Sequence, residues 1–165
     1  MFRASRLWRL GAMALIVALP GAALAGQKHP GYARTVDDLR LARTLLQRAN
    51  TSQVADASQD EVSLTIASIE SALKEIDQEI GAGGAKPHAL PRIPARMPWA
   101  DRLADSLRLL ERAEEECSRE KDGAGTQGLQ ARVLGHLENA HTRLSVAVET
   151  VNFDYSARNT PTRND

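Results

Sequence analysis

The chain has 165 residues, with 21 basic and 21 acidic side chains, one cysteine and only 4% aromatic residues. This balance lacks the excess of Lys and Arg that nucleic-acid binding requires, and a single cysteine excludes an internal disulfide. The chain is rich in Ala, Leu, Arg and Glu and poor in runs of β-branched residues, which favours an all-α fold.

The first 25 residues have the pattern of a secretory signal peptide. A positively charged start precedes the apolar run GAMALIVALPGAALA, which is short for a membrane span, and Ala23-Leu24-Ala25 matches a cleavage site. We predict cleavage after Ala25 and a periplasmic or secreted protein over residues 26–165, with no membrane span after cleavage. An uncleaved N-terminal anchor is the alternative. The mature segment has three more acidic than basic side chains, because cleavage removes Arg3, Arg6 and Arg9.

Two amphipathic helices are predicted in the first half of the mature chain. Between Ala33 and Ala49, apolar residues recur at steps of three and four, which is the spacing of one helix face. The charged residues fall off this face, on the polar side of the helix: Arg34, Asp37, Asp38, Arg40 and Arg43. A second helix is predicted from Ser58 to Ile80, with Ser58 and Glu61 as a capping box and Gly81 as the stop. The predicted buried positions are Val36, Leu39, Ala42, Leu46 and Ala49 in the first helix and Val62, Ile66, Ile69, Leu73, Ile76 and Ile80 in the second.

Two further helices are predicted in the second half. Pro98 suits the first turn of a third helix, which is predicted to run towards Gly123. A fourth helix is predicted to start near Thr126, and beyond about Phe153 the polar sequence predicts a flexible tail. The predicted buried positions are Leu103, Leu107, Leu110, Ala113 and Cys117 in the third helix and Val133, Leu137, Ala140, Leu144, Ala147 and Val151 in the fourth.

The two halves are related by an offset of 68 residues. RTVDDLRL (34–41) aligns with RLADSLRL (102–109), and the same offset aligns IASIESALKEI (66–76) with LGHLENAHTRL (134–144). Chance similarity between two amphipathic helices would not fix the same register twice. We therefore interpret the halves as tandemly duplicated helical hairpins.

Two hairpins that each expose an apolar face predict a four-helix bundle over residues 26–152, followed by a tail at 153–165. Hairpin one covers about 32–80 and hairpin two about 98–152. The Pro/Gly-rich linker between them, 81–98, cannot be helical through most of its length. At roughly 3 Å per residue when extended, it can follow a helix of about 30 Å. Both an up-down-up-down and a crossover topology are therefore open.

The segment HPGYARTVDDLRLAR, residues 29–43, carries a family resemblance. The chain resembles small signal-bearing bacterial proteins that begin His-Pro-x-Tyr and continue Asp-Leu-Arg-x-Ala-Arg. The resemblance implies an exported helical protein and assigns it little chemistry. This chain has Gly31, Ala33 and Arg34 where the family places further histidines, so the metal role that those histidines suggest is weaker here.

Glu138 and His141 form Glu-x-x-His, the spacing that places a carboxylate and an imidazole on one helix face in di-iron bundles. A di-metal site requires a second copy of the motif, but hairpin one has Leu73 at the position that matches His141. We predict a partly buried histidine hydrogen-bonded to Asp105 or Ser106, or a histidine at the edge of the apolar stripe. The functional alternative is a single imidazole ligand for Zn, Cu or Ni.

His29 and His88 complete the set of candidate metal ligands. Both lie beside prolines in turn-forming segments, where side chains are usually exposed. They can join a metal site only if the fold brings the N-terminus of the mature chain to the linker.

Cys117 is predicted to be a small buried thiol at the end of the third helix. The adjacent acidic run, 114–116, should raise the thiol pKa and oppose its use as a nucleophile. The alternative is an exposed thiol that joins two molecules.

The sequence contains no Gly-x-Ser-x-Gly elbow, no phosphate-binding glycine loop and no His-Glu-x-x-His motif. We therefore predict no enzyme activity, no catalytic residue and no cofactor apart from the candidate metal. The expected function is that of an interaction or structural protein that binds another envelope protein or itself. The alternative is a small metal- or ligand-binding bundle in the periplasm.

Overall fold

The computed structural model describes the backbone of residues 29–48, 56–81, 88–123 and 125–159. Its four helices are α1 (Pro30–Gln47), α2 (Asp56–Ile80), α3 (Trp99–Arg119) and α4 (Leu129–Asn159), and these residues contain no β-strand. The predicted all-α class is confirmed. Among the described residues, no helix is both long enough and apolar enough to cross a membrane. The predicted signal peptide at 1–25 lies outside the described residues.

The capping box predicted at Ser58 and Glu61 is wrong. α2 begins two residues before Ser58, at Asp56, and Ser58 is a buried residue inside the helix. Glu61 pairs with Arg143 on α4 instead, with Glu61 Oε2 3.2 Å from Arg143 Nη1. The predicted stop at Gly81 is present, because Gly81 has a φ of 78°, in the left-handed region that glycine adopts easily.

α4 is displaced from its predicted bounds at both ends. Thr126 does not start the helix, because its hydroxyl accepts the Gly123 N–H at 2.8 Å in a turn that continues to Gly128. Gly128 has a φ of 76°, which cannot belong to the helix, so α4 begins one residue later. At the other end the helix passes the predicted boundary at Phe153 and reaches Asn159, since there is no glycine or proline between Phe153 and Pro161.

α1 and α3 pack side by side in opposite directions. Thr35, near the start of α1, donates its hydroxyl to the Ala113 carbonyl at 3.3 Å, and Ser106, near the start of α3, donates to the Ala42 carbonyl at 3.4 Å. Thr35 and Ser106 are fully buried, so these two hydrogen bonds satisfy hydroxyl groups that would otherwise be costly in the core.

α2 and α4 form the other large contact and are also antiparallel. Arg143 midway along α4 pairs with Glu61 near the start of α2. Arg132 near the start of α4 reaches Glu75 and Glu79 near the end of α2, both at 2.9 Å. The two large contacts, α1 with α3 and α2 with α4, therefore each join one helix of hairpin one to one helix of hairpin two.

α2 and α3 run in the same direction across the bundle, so the chain must return along the bundle between them. The His88 N–H donates to Asp37 on α1 at 3.3 Å, and Ile93 and Met97 pack against the core. Arg102 on α3 then holds the end of the segment by donating to the Met97 carbonyl at 3.1 Å. Residues 88–98 of the linker follow α1 and α3, and the structure has the crossover topology.

The core lies between all four helices and contains most of the predicted stripes. Five predicted positions are only partly buried: Ile66, Leu73, Ile80, Leu107 and Val151. Ala49 lies outside the described residues. Asp38, expected on the polar face of the first helix, is buried because it forms two charged hydrogen bonds with Arg112 of α3. The largest fully buried side chains are Tyr32, Leu39, Leu46, Ile69, Leu103, Leu110, Leu129, Val133, Leu137 and Leu144, with Thr35 and Thr65.

Candidate functional site

His141 and Glu138 lie beside a shallow groove between α3 and α4. We call this the acidic groove; its cavity volume is about 530 Å³ and it is lined by Glu111, Glu114, Glu115, Ser118, Leu134 and Glu138. His141 Nε2 lies 3.7 Å from Glu111 Oε1, and its side chain is about one-third exposed. The prediction that Asp105 or Ser106 would face His141 is wrong, because Asp105 pairs with Arg108 and Ser106 points to α1.

Negative charge at the acidic groove is only partly compensated. Partial burial raises the pKa of Glu114, Glu111 and Glu138 raise it further, and His141 lowers it. Glu115 is better compensated, because it pairs with Arg119 one turn along α3. The groove therefore favours a cationic group that can approach Glu111, Glu114 and Glu138 together.

The acidic groove is not arranged as a metal site. Within the described ranges, no group of three or more His, Cys, Asp or Glu side chains is placed to hold a metal ion. His29 and His88, the other candidate ligands, lie elsewhere. The structure does not bring the four predicted ligands together.

His29 belongs to a clasp between the start of α1 and the end of α3. Its Nδ1 lies 3.4 Å from Glu120 Oε2, and the same carboxylate accepts the Gly31 N–H. Tyr32 completes the clasp by donating its hydroxyl to Asp122 Oδ1 at 3.4 Å. The predicted exposure of His29 is wrong, because its side chain is only 10% exposed.

The His-Pro-Gly-Tyr segment therefore has a structural role. Asp122 also accepts the backbone N–H groups of Gly128, at 2.6 Å, and Gln130, at 3.2 Å. One carboxylate thus fixes the connection between α3 and α4 and receives Tyr32 from α1. Gly31 is required by the close approach, since a Cβ there would lie 2.7 Å from the Glu116 carbonyl oxygen.

His88 lies in the linker and is exposed, as predicted. Its Nδ1 is 2.5 Å from Asp37 Oδ2, and its side chain is 81% exposed. Such a pair helps to dock the linker on α1 but contributes little to stability.

Cys117 is a free thiol with no exposed surface, so the alternative of an exposed, dimer-forming thiol is wrong. Burial raises its pKa to about 12, and Asp122 and Glu120 contribute. The prediction that the pKa of the Cys117 thiol is raised is confirmed, but the acidic run at 114–116 is not the cause.

A second groove, between α1 and α2, was not anticipated from the sequence. We call it the cationic groove; its volume is about 360 Å³ and it is lined by Val36, Arg40, Arg43, Leu73, Lys74, Ile76, Asp77, Ile80 and Gly81. The periodic pattern placed Arg40 and Arg43 off the apolar stripe of α1 but did not show that Lys74 would lie opposite them. That juxtaposition depends on the register between the helices.

Comparisons with protein-family models, with curated proteins and with solved structures found no match. The grooves, the clasp and the buried thiol are therefore the observations from which a function can be proposed.

Proposed function

We propose that the protein is an exported, non-enzymatic interaction protein that binds a basic partner in the cell envelope. The arginine-rich start, the apolar run and the Ala-Leu-Ala sequence ending at Ala25 support export. Fractionation of the native host followed by mass spectrometry tests this part. A periplasmic or secreted chain beginning at Gly26 is expected, and a cytoplasmic chain that retains residues 1–25 would contradict it.

The positions of the reactive side chains support a non-enzymatic role. The Cys117 thiol is buried with a pKa of about 12, which makes it a poor nucleophile. His29 is held by Glu120 and Tyr32, and His88 by Asp37. These groups hold elements of the fold in contact, and none of them lines the acidic groove.

The acidic groove is the observation that carries the interaction role. A desolvated carboxyl at Glu114 between Glu111 and Glu138 raises the electrostatic energy of the free protein. A Lys or Arg side chain of a partner would relieve this repulsion, while Leu134 offers apolar contact. Electrostatic complementarity of this kind favours rapid and selective association.

Site-specific photo-crosslinking in the native host tests the proposal. A photoreactive residue replaces exposed Glu115 beside the groove, and exposed Gln78 on α2 is the matched control position. We expect an adduct from position 115 that is absent from position 78. The substitutions Glu111→Lys and Glu138→Lys together should abolish it.

The crosslinking result has clear alternatives. No adduct from position 115, or equal adducts from both positions, would contradict a partner at the acidic groove. An adduct with the mass of two chains would assign the partner as a second copy of the protein.

Metal binding at the acidic groove is the second candidate function. The pair of His141 and Glu111, whose Nε2 and Oε1 atoms lie 3.7 Å apart, supports a two-ligand site, since no group of three or more candidate ligands in the described residues is arranged around one ion. Titration of the purified protein with zinc should raise the Tm, and His141→Ala should remove the increase. His88→Ala is the control, because His88 lies in the linker; an increase that survives in His141→Ala would contradict this site.

We also propose that the two hairpins arose by tandem duplication. The offset of 68 residues relates buried positions in both halves, which supports the proposal. Among these pairs are Thr35 and Leu103, Asp38 and Ser106, Ala42 and Leu110, Leu45 and Ala113, Ser58 and Thr126, Thr65 and Val133, Ile69 and Leu137, Ala72 and Ala140, and Ile76 and Leu144. Related sequences should keep the same offset between their halves, and its absence from them would contradict the duplication.

A further inference from the structure

The cationic groove has the composition of a small-molecule site. Arg40, Arg43 and Lys74 provide positive charge from both helices, while Val36 and Ile76 form a buried apolar surface beneath. Its volume of about 360 Å³ lies within the range of small-ligand pockets.

Two guanidinium nitrogens beside the groove lack acceptors. Arg40 Nη1 and Arg43 Nε are buried and have no hydrogen-bond partner among the described residues. Buried donors without partners are rare and costly, so an acceptor that reaches them would be bound strongly. Neighbouring atoms enclose both nitrogens, so each guanidinium group must turn slightly to meet an acceptor in the groove.

The nearby carboxylates limit the charge of the ligand. Glu70 lies 3.8 Å from Arg43 and leaves that arginine only partly neutralised, while Asp77 lies one helical turn beyond Lys74 towards Gly81. The three cations of the groove (Arg40, Arg43 and Lys74) therefore face two anions (Glu70 and Asp77), which leaves the groove with one net positive charge. This balance suits a single carboxylate at the arginine end, since a doubly charged phosphate would be repelled by Asp77 and Glu70.

The rest of the groove accepts an apolar chain. Leu73 and Ile80 are partly buried and pack against the core, and they continue the apolar surface of Val36 and Ile76 along α2. At the matching position of hairpin two, Leu73 is replaced by His141 and Arg43 by Glu111. The acidic groove therefore has a carboxylate in place of Arg43, and its apolar contact comes from Leu134 alone.

We propose that the cationic groove binds an amphipathic monoanion, with its carboxylate between Arg40 and Arg43 and its short alkyl chain on Val36, Leu73, Ile76 and Ile80. Guanidinium groups bind carboxylates through strong, directional charged hydrogen bonds. The site is separate from the acidic groove, so either proposal can fail without the other.

Isothermal titration of the full purified protein with sodium decanoate tests the proposal, with decanol and decyltrimethylammonium as probes of the same chain length. Decanoate should bind saturably at one site per chain. The variant Arg40→Gln/Arg43→Gln should bind at least about tenfold more weakly, since each charged hydrogen bond contributes more than a factor of ten. Arg108→Gln is the matched control, because Arg108 takes the place of Arg40 in hairpin two and is 72% exposed.

The exposed Lys74→Glu variant keeps the test valid if the double arginine variant does not fold, since it should weaken decanoate binding without disturbing the core. Circular dichroism verifies the folding of each variant. Three results would overturn the proposal: no saturable binding of decanoate, equal binding of decanol or decyltrimethylammonium, or unchanged affinity in a folded variant of Arg40 and Arg43 or of Lys74.

Discussion

Gly31 lies where α1 closely approaches the end of α3, so Gly31→Ala is a direct test of the clasp. A Cβ at this position would lie 2.6 Å from Glu120 Cγ and 2.7 Å from the Glu116 carbonyl oxygen. The Glu120 side chain can rotate away, but it then loses the Gly31 N–H and His29. The Glu116 carbonyl belongs to the α3 backbone, so α1 itself must move.

The expected cost follows from two opposing contributions. Overpacking of a well-packed contact costs about 1–3 kcal/mol. Replacement of glycine by alanine in a helix interior stabilises the helix by at most about 1 kcal/mol. Gly31 is in the first turn of α1, where this stabilisation is smaller. Gly31→Ala should therefore lower the free energy of unfolding by about 1–2 kcal/mol.

Gly135→Ala is the matched control, because a Cβ at Gly135 inside α4 meets nothing within 4 Å. It should raise the free energy of unfolding by about 0.5–1 kcal/mol. Urea unfolding followed by circular dichroism at 222 nm measures both variants. If Gly31→Ala is as stable as the wild type while Gly135→Ala shows its gain, the close approach of α1 to α3 is wrong.

Three further predictions concern buried or partly buried polar groups. Cys117 should not react with a thiol reagent at pH 8 in the native protein but should react fully in urea, because it is buried and its pKa is about 12; rapid native reaction would refute this. Asp38→Ala should lower the free energy of unfolding by about 1.5–3 kcal/mol, because its charged hydrogen bonds to Arg112 are lost. Arg112→Ala in the Asp38→Ala background should lower the free energy of unfolding little further, and additive losses would refute the pairing. Glu114 has a raised folded-state pKa, so its charged form opposes folding at neutral pH. Glu114→Gln should therefore be more stable than the wild type at pH 7 by urea unfolding, and the difference should vanish below the ordinary carboxyl pKa; a difference independent of pH would refute it.

The positions of the helices and most of their buried faces follow from local sequence. Ile69 and Leu137 were predicted to be buried from steps of three and four residues alone, and both have no exposed surface. Such predictions succeed because the helical repeat fixes which side chains share a face, whatever the partner helix is.

Contacts between helices are not encoded locally, and most of the errors have this origin. Ser58 and Glu61 satisfy the capping pattern, but Glu61 pairs with Arg143, 82 residues away. Asp38 has a charge typical of an exposed face, yet it is buried because Arg112 of α3 reaches it. A charged residue can be buried when a partner accompanies it, and the partner depends on the topology.

The same limit applies to the candidate sites. Glu-x-x-His identified Glu138 and His141 but not Glu111 or Glu114, which reach the acidic groove from the neighbouring helix. The separation of His29 from His88 depends on the clasp at Glu120 and on the path of the crossover linker. Neither follows from the spacing of histidines along the chain.

The two hairpins agree where they pack and differ where they face solvent. Arg43 and Glu111 are equivalent under the offset, and each contacts the other helix of its own hairpin, Arg43 through Glu70 at 3.8 Å and Glu111 through His141 at 3.7 Å. Packing of a bundle requires apolar residues at buried positions but no particular sign of charge at the rim of a groove. The opposite charges are therefore not a consequence of folding. They are the feature expected if one fold, used twice, presents an anion site on hairpin one and a cation-binding surface on hairpin two.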